Sequence, residues 1–441
     1  MEIKKIETNY KRKMFFSESK ISPKKYSEKL EKQIINIYPE ITYQSILGFG
    51  GAFTEATGYA IKQLPPEKQK WLIKEYFSAD GNNYSFCRLP IGSTDFSPKS
   101  YSYSNKPDLS DFSVKQDENY IIPIITEAKK ENPNLKFLSS PWSPPKFMKS
   151  NKMLVLGGKL LDKYKQTWAD YISKYILEYK KYGINVEYVT VQNEPNAVQV
   201  WESCTYSAEE EIDFVVNYLY HTFKKNNINT KILIWDHNKE KLFTRAVYEL
   251  KTNDALKSVA GIAFHYYTGD HFENISLTQN AFPGMFLIHT EGCTGYSKFN
   301  PDDEVKNAEI YAHEILGDLN AGANAYIDWN LVLDNKGGPN HKLNFCNSPI
   351  MLNKDNTDYI KNLSFYYIGH FSKFIKPGAK RIAHSRYTSD IEVVAFKNID
   401  NSTAIVLLNR NNFNKEYNLV FEDIVMHDNL DSHAIVSYLI K

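Results

Sequence analysis

Cysteine is scarce in this sequence, and the four that occur, Cys87, Cys204, Cys293 and Cys346, stand far apart. That scatter excludes a disulfide framework and a paired Cys-x-x-Cys metal site, so reduced thiols are expected. A charge bias is missing too. With 53 Lys+Arg against 52 Asp+Glu the net charge is +1, and no bulk field recommends nucleic acid or an anionic membrane as partner. Long apolar runs are absent: nothing approaches the roughly 18 uninterrupted apolar residues of a membrane span. Met1 to Lys13 is polar and basic, without the apolar block of a secretory signal. The chain is therefore expected to be soluble and, as written, cytoplasmic, or secreted if a leader was removed. Several catalytic motifs are lacking as well. There is no Gly-x-Ser-x-Gly elbow for a serine hydrolase. His313-Glu314 is followed at position 317 by Gly, not the second His of a zinc protease, and Gly48-Phe49-Gly50-Gly51 fails the dinucleotide fingerprint at Phe53. Neither a cofactor nor a metal is expected.

What is present is ordinary globular composition, 42% hydrophobic and 24% charged over 441 residues, enough for one large barrel plus a smaller unit. Eight short apolar runs recur: Ile46 to Phe53, Tyr84 to Asp95, Lys136 to Pro144, Val186 to Glu194, Lys231 to Asn238, Val259 to Tyr267, Met285 to Glu291 and Gly322 to Val332. Helix-like stretches separate them, among them Pro65 to Phe77, Asp117 to Glu131, Leu161 to Tyr182, Ser207 to Phe223 and Asp303 to Leu319. Eight strand-helix units match the rhythm of a (β/α)₈ barrel better than an open doubly wound sheet. After Pro377-Gly378 the texture changes to alternating runs, Ile391 to Lys397, Thr403 to Asn409 and His433 to Leu439, which read as antiparallel β structure. Tyr10 to Ser17 and Ile34 to Ile41 offer further strands from the other end. The expected organisation is a barrel over residues 46–376 inserted into a β-sandwich built from 1–45 and 377–441, packed on the barrel without a swinging linker.

In such a barrel the reactive groups stand where strands end. The fourth run closes on Gln192-Asn193-Glu194-Pro195 and the seventh on His289-Thr290-Glu291-Gly292-Cys293. Pro195 is expected to hold Glu194 extended and so aim it across the mouth; Gly292 is expected to leave room above Glu291. Alone, either Glu reads as a cap or an ion-pair partner. Together, on strands four and seven, they form the carboxyl pair that glycosidic cleavage needs, one to protonate the leaving oxygen and one to attack the anomeric carbon or activate water. Trp142, Trp235, Tyr266, Tyr267 and Trp329 fall near strand ends, where flat rings can stack on sugar C–H surfaces, whereas Trp71 and Trp168 read as packing residues on helices. Asp95 and Asn344 are candidates for sugar hydroxyls.

The segments RLPIGSTDFS (88–97), SPWSPPKFMKSN (140–151), VQNEPNA (191–197), HYY (265–267), HTEGC (289–293), DWNLVLDNKGGPNHKLN (328–344) and SFYYIGHFSKFIKPGAKRI (364–382) together resemble glycoside hydrolase family 30, the acid-β-glucosidase (glucosylceramidase) family. The resemblance implies a (β/α)₈ barrel with an attached β-sandwich and a retaining mechanism without metal or organic cofactor. It implies Glu194 as acid/base and Glu291 as nucleophile. Asn193 would bond the 2-hydroxyl, and Asp95, Trp142, Trp329 and Asn344 would line the glycone pocket. Tyr267 and His265 would support the nucleophile and the pocket wall, with Arg88 and Cys293 behind the carboxylates. Three departures stand out: Tyr266 and His341 occupy positions held by Trp in the animal enzymes, and their cysteine-rich start is missing. The expected substrate is a β-glucoside or glucosylceramide. An apolar patch of Phe147, Met148, Val155 and Leu156 would suit a ceramide and transient contact with a membrane surface. The alternatives are an endo-β-1,6-glucanase of the same family and a carbohydrate-binding barrel without activity. Oligomeric state is not legible.

Overall fold

The computed structural model describes residues 2–27, 29–294 and 303–441. Eight parallel strands close a barrel in chain order: Gly48–Ala52, Phe86–Ile91, Lys136–Pro141, Val186–Thr190, Lys231–Asn238, Gly261–His265, Phe286–Glu291 and Ala325–Asn330. They are buried along nearly their whole length, as strands covered on both faces must be. All but Lys231–Asn238, which keeps the bounds of its run, are shorter than the apolar run that announced them, mostly because the polar ends of those runs belong to the loops above the barrel. Gly50 shows how tight the closure is. A Cβ there would come within 2.0 Å of the Phe86 carbonyl oxygen, so only glycine lets strands one and two approach.

The two interior faces of the barrel differ in chemistry. Its foot is filled by Phe86, Leu138, Tyr188, Leu233, Ala263, Ile288, Ala325 and Ile327, a closed apolar layer. Outside, helices such as Pro66–Phe77, Ile121–Glu131, Lys165–Lys181 and Glu304–Ala321 bury one stripe each against the strands. The 208–225 region is helical throughout but includes a π turn at Val215–Leu219; it starts on a capping box between Ser207 and Glu210. Trp168 is buried as expected. Trp71 is not: it is 62% exposed, because Leu72, Ile73, Tyr76 and Phe77 supply the inward stripe of its helix.

Ten strands from both chain ends make the second unit. Ile3, near one end of the strand order, shares an apolar cluster with Leu419 and Met426 near the other, so the sheet curls over a core of its own. The first strand is Ile3–Asn9, followed by Met14–Lys20, not a strand over Tyr10 to Ser17; residues 10–13 are the turn between them. The sequence conceals Ile3–Asn9 because Lys5 and Glu7 are buried in it, with Lys5 Nζ 2.7 Å from Asp428. The hairpin Lys415–Phe421 and Ile424–Leu430 was likewise unannounced. The two units are joined by helix Leu363–Ser372. Its His370 bonds Ser437 on one side (2.7 Å) and Thr8 on the other (2.9 Å), and Ile6, Phe396, Val406 and Ile435 pack into the same core as the barrel helices.

Candidate active site

Strand four ends at Thr190, and the chain continues along the rim through Asn193 and Glu194. The Asn193 amide donates to the Pro141 carbonyl (2.8 Å), and the Glu194 amide to that of Asp236 (3.0 Å). Glu194 has φ +49, in the left-handed region, not the extended conformation that Pro195 led one to expect. A bulky residue holds such a conformation only where its surroundings over-determine it. Here the bonds to strands three and five do so, with a turn closed by the Ala197 amide on the Glu194 carbonyl (2.9 Å). The glycine after Glu291 also has a different reason from the one expected. A Cβ on Gly292 would meet His289 Nε2 at 2.9 Å and the Tyr266 ring at 3.2 Å, so the space is filled by packing.

The outcome is a cavity of about 580 Å³ at the C-terminal mouth of the barrel. Among the residues singled out in the sequence, Asp95, Trp142, Asn193, Glu194, Tyr266, Tyr267, Glu291, Cys293, Trp329 and Asn344 line it. On its floor, one carboxylate oxygen each from Glu194 and Glu291 and one ring nitrogen of His265 all lie within 4.8 Å of one another. Trp142 and Trp329 stack at 5.3 Å and 21°, and the Arg88 guanidinium lies 4.8 Å from the Trp142 ring centre. On one wall Asn340 and Asn344 both donate to Asp95 Oδ2, at 3.2 and 2.9 Å. Burial nonetheless lifts the Asp95 carboxyl to about 7.

Arg88 and His265 do not line the cavity; they lie fully buried behind the carboxylates. Arg88 donates to Glu291 (2.5 Å), Asn193 Oδ1 (2.9 Å), Asp236 (2.8 Å) and Ser140 (3.1 Å). His265 stands 3.3 Å from Glu194 and 3.1 Å from Asp236. Burial alone would drive its imidazole toward neutrality, but the field of Glu291 and the bonds to Asp236 and Glu194 reverse this and lift it to about 9. Both ring nitrogens of His265 are engaged by carboxylates, so the three groups form one hydrogen-bonded cluster with Asp236. Burial pushes the Glu194 carboxyl up, yet the His265 hydrogen bond and the charges of His237 and His265 bring it below its usual range. Glu291 is held above its usual range by burial, against His265 and Arg88 and with the like charge of Glu194. The two carboxyls therefore compete for one proton.

Sequence reasoning missed the residue that ties this network together. Asp236 accepts from Arg88, from Thr190 and Thr290 (both 2.6 Å), and from His265. The register of strands five and six shifts between Ala263 and Phe264, and Trp235 and Asp236 both have positive φ. This bulge turns Asp236 inward where strict alternation would have placed Trp235. Trp235 accordingly leaves the cavity, is 1% exposed, and donates to the Asn238 carbonyl. The polar Asp-His-Asn ending of that run was the available signal. Trp201, Gln199 and His237 on the rim, and Cys346 within, were also missed.

Comparison with known proteins gives the family and the fold. Residues 46–375 match the Glycosyl hydrolase family 30 TIM-barrel domain, and 378–438 the family 30 beta sandwich domain. Putative glucosylceramidase 4 of Caenorhabditis elegans is 36% identical over 394 residues, 84% of this chain and 75% of that protein. The crystal structure of SrfJ from Salmonella typhimurium superposes with a TM-score of 0.97 at 35% identity, covering all of both chains. The endo-β1,6-glucanase BT3312 does so with a TM-score of 0.92 at 30% identity, covering 100% of this chain and 99% of that one.

Proposed function

Because the chain belongs to glycoside hydrolase family 30 and is a glycoside hydrolase, we propose that it is a retaining β-glucosidase of the glucosylceramidase type. The observation that carries this reading is the approach of Glu194 and Glu291 oxygens to within 4.8 Å. Retention needs carboxyl groups about 5 to 5.5 Å apart, whereas inversion leaves room for a water at roughly 6.5 to 9.5 Å. Glu291 is the nucleophile. Arg88 at 2.5 Å and the Tyr267 hydroxyl at 2.9 Å donate to its two different oxygens, and two short donors favour the anion. In the free chain the lowered Glu194 and the raised Glu291 put the shared proton on the wrong partner for this reaction. On binding it has to pass to Glu194, whose closest polar side-chain partners are His265 at 3.3 Å and His237 at 4.0 Å, and from there the leaving oxygen takes it as Glu291 closes on the anomeric carbon. Esterification then removes the charge on Glu291, the Glu194 carboxyl becomes more acidic, and its carboxylate takes a proton from the water that releases the sugar. Arg88 engages Asn193 Oδ1 and so leaves the Asn193 amide nitrogen free to meet the 2-hydroxyl. Asp95 and Asn344, with the Trp142 and Trp329 rings, hold the remaining hydroxyls and faces of the glucose.

On the aglycone side, Met153, Leu156, Val198 and Val200 are 42 to 64% exposed. The Leu156 amide bonds the Gln199 carbonyl at 2.8 Å, so these side chains border the rim formed by Gln199 and Trp201. This ridge differs from the one expected, since Met148 is wholly buried and Phe147 packs on Tyr164. It supports an acyl-bearing aglycone such as ceramide, presented at a membrane surface. The likeness to an endo-β1,6-glucanase supports the second reading, an enzyme for β-1,6-linked glucans. Hydrolysis of a chromogenic β-glucoside with net retention tests the chemistry, with Glu194→Gln and Glu291→Gln each expected to lose activity by at least about a thousandfold. Full activity in either would overturn the assignment. Turnover of glucosylceramide in detergent against short β-1,6-glucans decides the aglycone, and no lipid turnover would retire ceramide.

A further inference from the structure

We propose that Cys293 and Cys346 form an oxidisable thiol pair inside the cavity, converted by hydrogen peroxide to a disulfide that ties the loop after strand seven to the loop after strand eight and slows turnover. Both side chains line the cavity while being only 5 and 6% exposed, and both belong to the apolar cluster that includes Trp142 and Trp329. Their segments are bonded together: the Asn347 amide, one residue past Cys346, donates to the Thr294 carbonyl, one residue past Cys293, at 3.2 Å. Cys346 is the neighbour that acts most strongly on the Cys293 thiol. Neighbouring backbones of this kind lie near the roughly 4.4 to 6.8 Å between Cα atoms that a disulfide spans.

The pair adjoins the proposed nucleophile. The Tyr267 hydroxyl, which donates to Glu291 at 2.9 Å, is 3.6 Å from the Cys293 sulfur. Drawing that sulfur toward Cys346 removes a neighbour of the Tyr267 hydroxyl and disturbs its aim. The shared hydrogen bond with Cys346, together with burial, keeps the Cys293 thiol well above its ordinary range. The thiolate that any oxidant needs is therefore scarce at neutral pH, and the oxidation quickens as pH rises; the cavity admits a small neutral oxidant to the pair where a bulky disulfide does not fit. The balance is complete. One thiol gives up its proton and its thiolate attacks peroxide, the O–O bond breaks, and a sulfenic acid and hydroxide form, the hydroxide taking that proton as one water; the second thiol attacks the sulfenic sulfur, the S–S bond forms, and hydroxide leaves with the second thiol proton as another water. Cys87 and Cys204 are buried away from the cavity, with thiols pushed up to about 12 by burial, and serve as internal controls.

The regulatory half of this inference rests on the glucosidase reading; the chemical half does not. The reduced full chain is treated with hydrogen peroxide, alkylated under denaturing conditions and digested. The expected result is a cross-linked peptide pair, two hydrogens lighter than the sum, joining the segments that hold Cys293 and Cys346. Turnover of a chromogenic β-glucoside should fall about tenfold, the rate equivalent of one hydrogen bond to a charged group, and return with dithiothreitol. Cys346→Ala and Cys346→Ser, each compared with its own untreated rate, should not respond; Cys87→Ala and Cys204→Ala should respond as the unaltered chain does. Absence of the cross-link, rate loss that persists in both Cys346 variants, or a cross-link that leaves turnover unchanged would overturn the proposal. If the reduced chain hydrolysed no glucoside at all, the glucosidase reading would fail, and the mass of the peptide pair would still decide the thiol chemistry.

Discussion

The foot and the top of the barrel interior are built on the same strands, two residues apart. Phe86, Leu138, Tyr188, Ala263 and Ile288 close the foot; Arg88, Ser140, Thr190, His265 and Thr290 stand one side-chain period higher and bond to one another or to Asp236. Since alternate residues of a strand point the same way, both layers face the barrel axis. Apolar packing below excludes water and fixes the strands. The polar layer above is fully bonded at its centre, and its charges are aimed by that rigidity. The comparison teaches that stability and chemistry are divided by about one pleat, so substitutions a single period apart should fail in different ways.

The largest effect is expected in the upper layer. Arg88→Met would leave Asp236 and Glu291, both now paired at 2.8 and 2.5 Å, without their cation, and removing one partner of a buried ion pair costs about 3 to 5 kcal/mol. It would also remove a donor to the proposed nucleophile, and kcat/KM should fall by about a thousandfold. Urea unfolding and steady-state kinetics on one preparation check both; activity within a few-fold of the parent would break the division between layers. Next comes the foot. Leu138→Ala, at a fully buried position, should cost about 3 kcal/mol through lost burial and the cavity left behind, while kcat of the folded fraction stays within about twofold. A large loss of kcat here, in protein shown to be folded by near-UV circular dichroism, would mean that the layers are not separable.

The barrel was legible because closure demands the same thing eight times: a short apolar run, a polar end and a helix. The carboxylates were legible because Glu194 and Glu291 terminate such runs. What stayed hidden required knowledge of register or pairing. Asp236 was obscured by a bulge, which no alternation reveals, and the same bulge takes Trp235 out of the cavity wall where its place near a strand end had put it. Strand Ile3–Asn9 was obscured because its buried Lys5 and Glu7 read as surface until Asp428, some four hundred residues away, supplies the partner. Trp71 was misread because one helix offered five large residues and needed only four inward. Cys346 carried no local signal; its meaning comes from the neighbouring segment that holds Cys293.

A buried polar group outside the barrel sharpens the comparison by separating polarity from chemistry. His370 is as buried as His265, but its neighbours are the hydroxyls of Thr8 and Ser437 and no carboxylate answers it. Burial lowers its imidazole to about 3, where the charge of Glu291, with the bonds to Asp236 and Glu194, raises His265 to about 9. The sign of the consequence follows. The folded state keeps His370 neutral while the unfolded chain protonates near 6.5, so the unfolded state binds the extra proton and stability present above that pH is lost as pH falls toward 3. Between pH 7 and pH 5 the loss from this one group is about 2 kcal/mol. His370→Gln, which keeps a donor and an acceptor without a titrating ring, should flatten that part of the stability curve measured by urea unfolding, and leave kcat at its optimum pH unchanged. An equally steep curve in the variant would mean that the joint between the two units takes up its proton elsewhere, and a fallen kcat would mean that the polar joint and the polar top of the barrel are coupled through the helix between them.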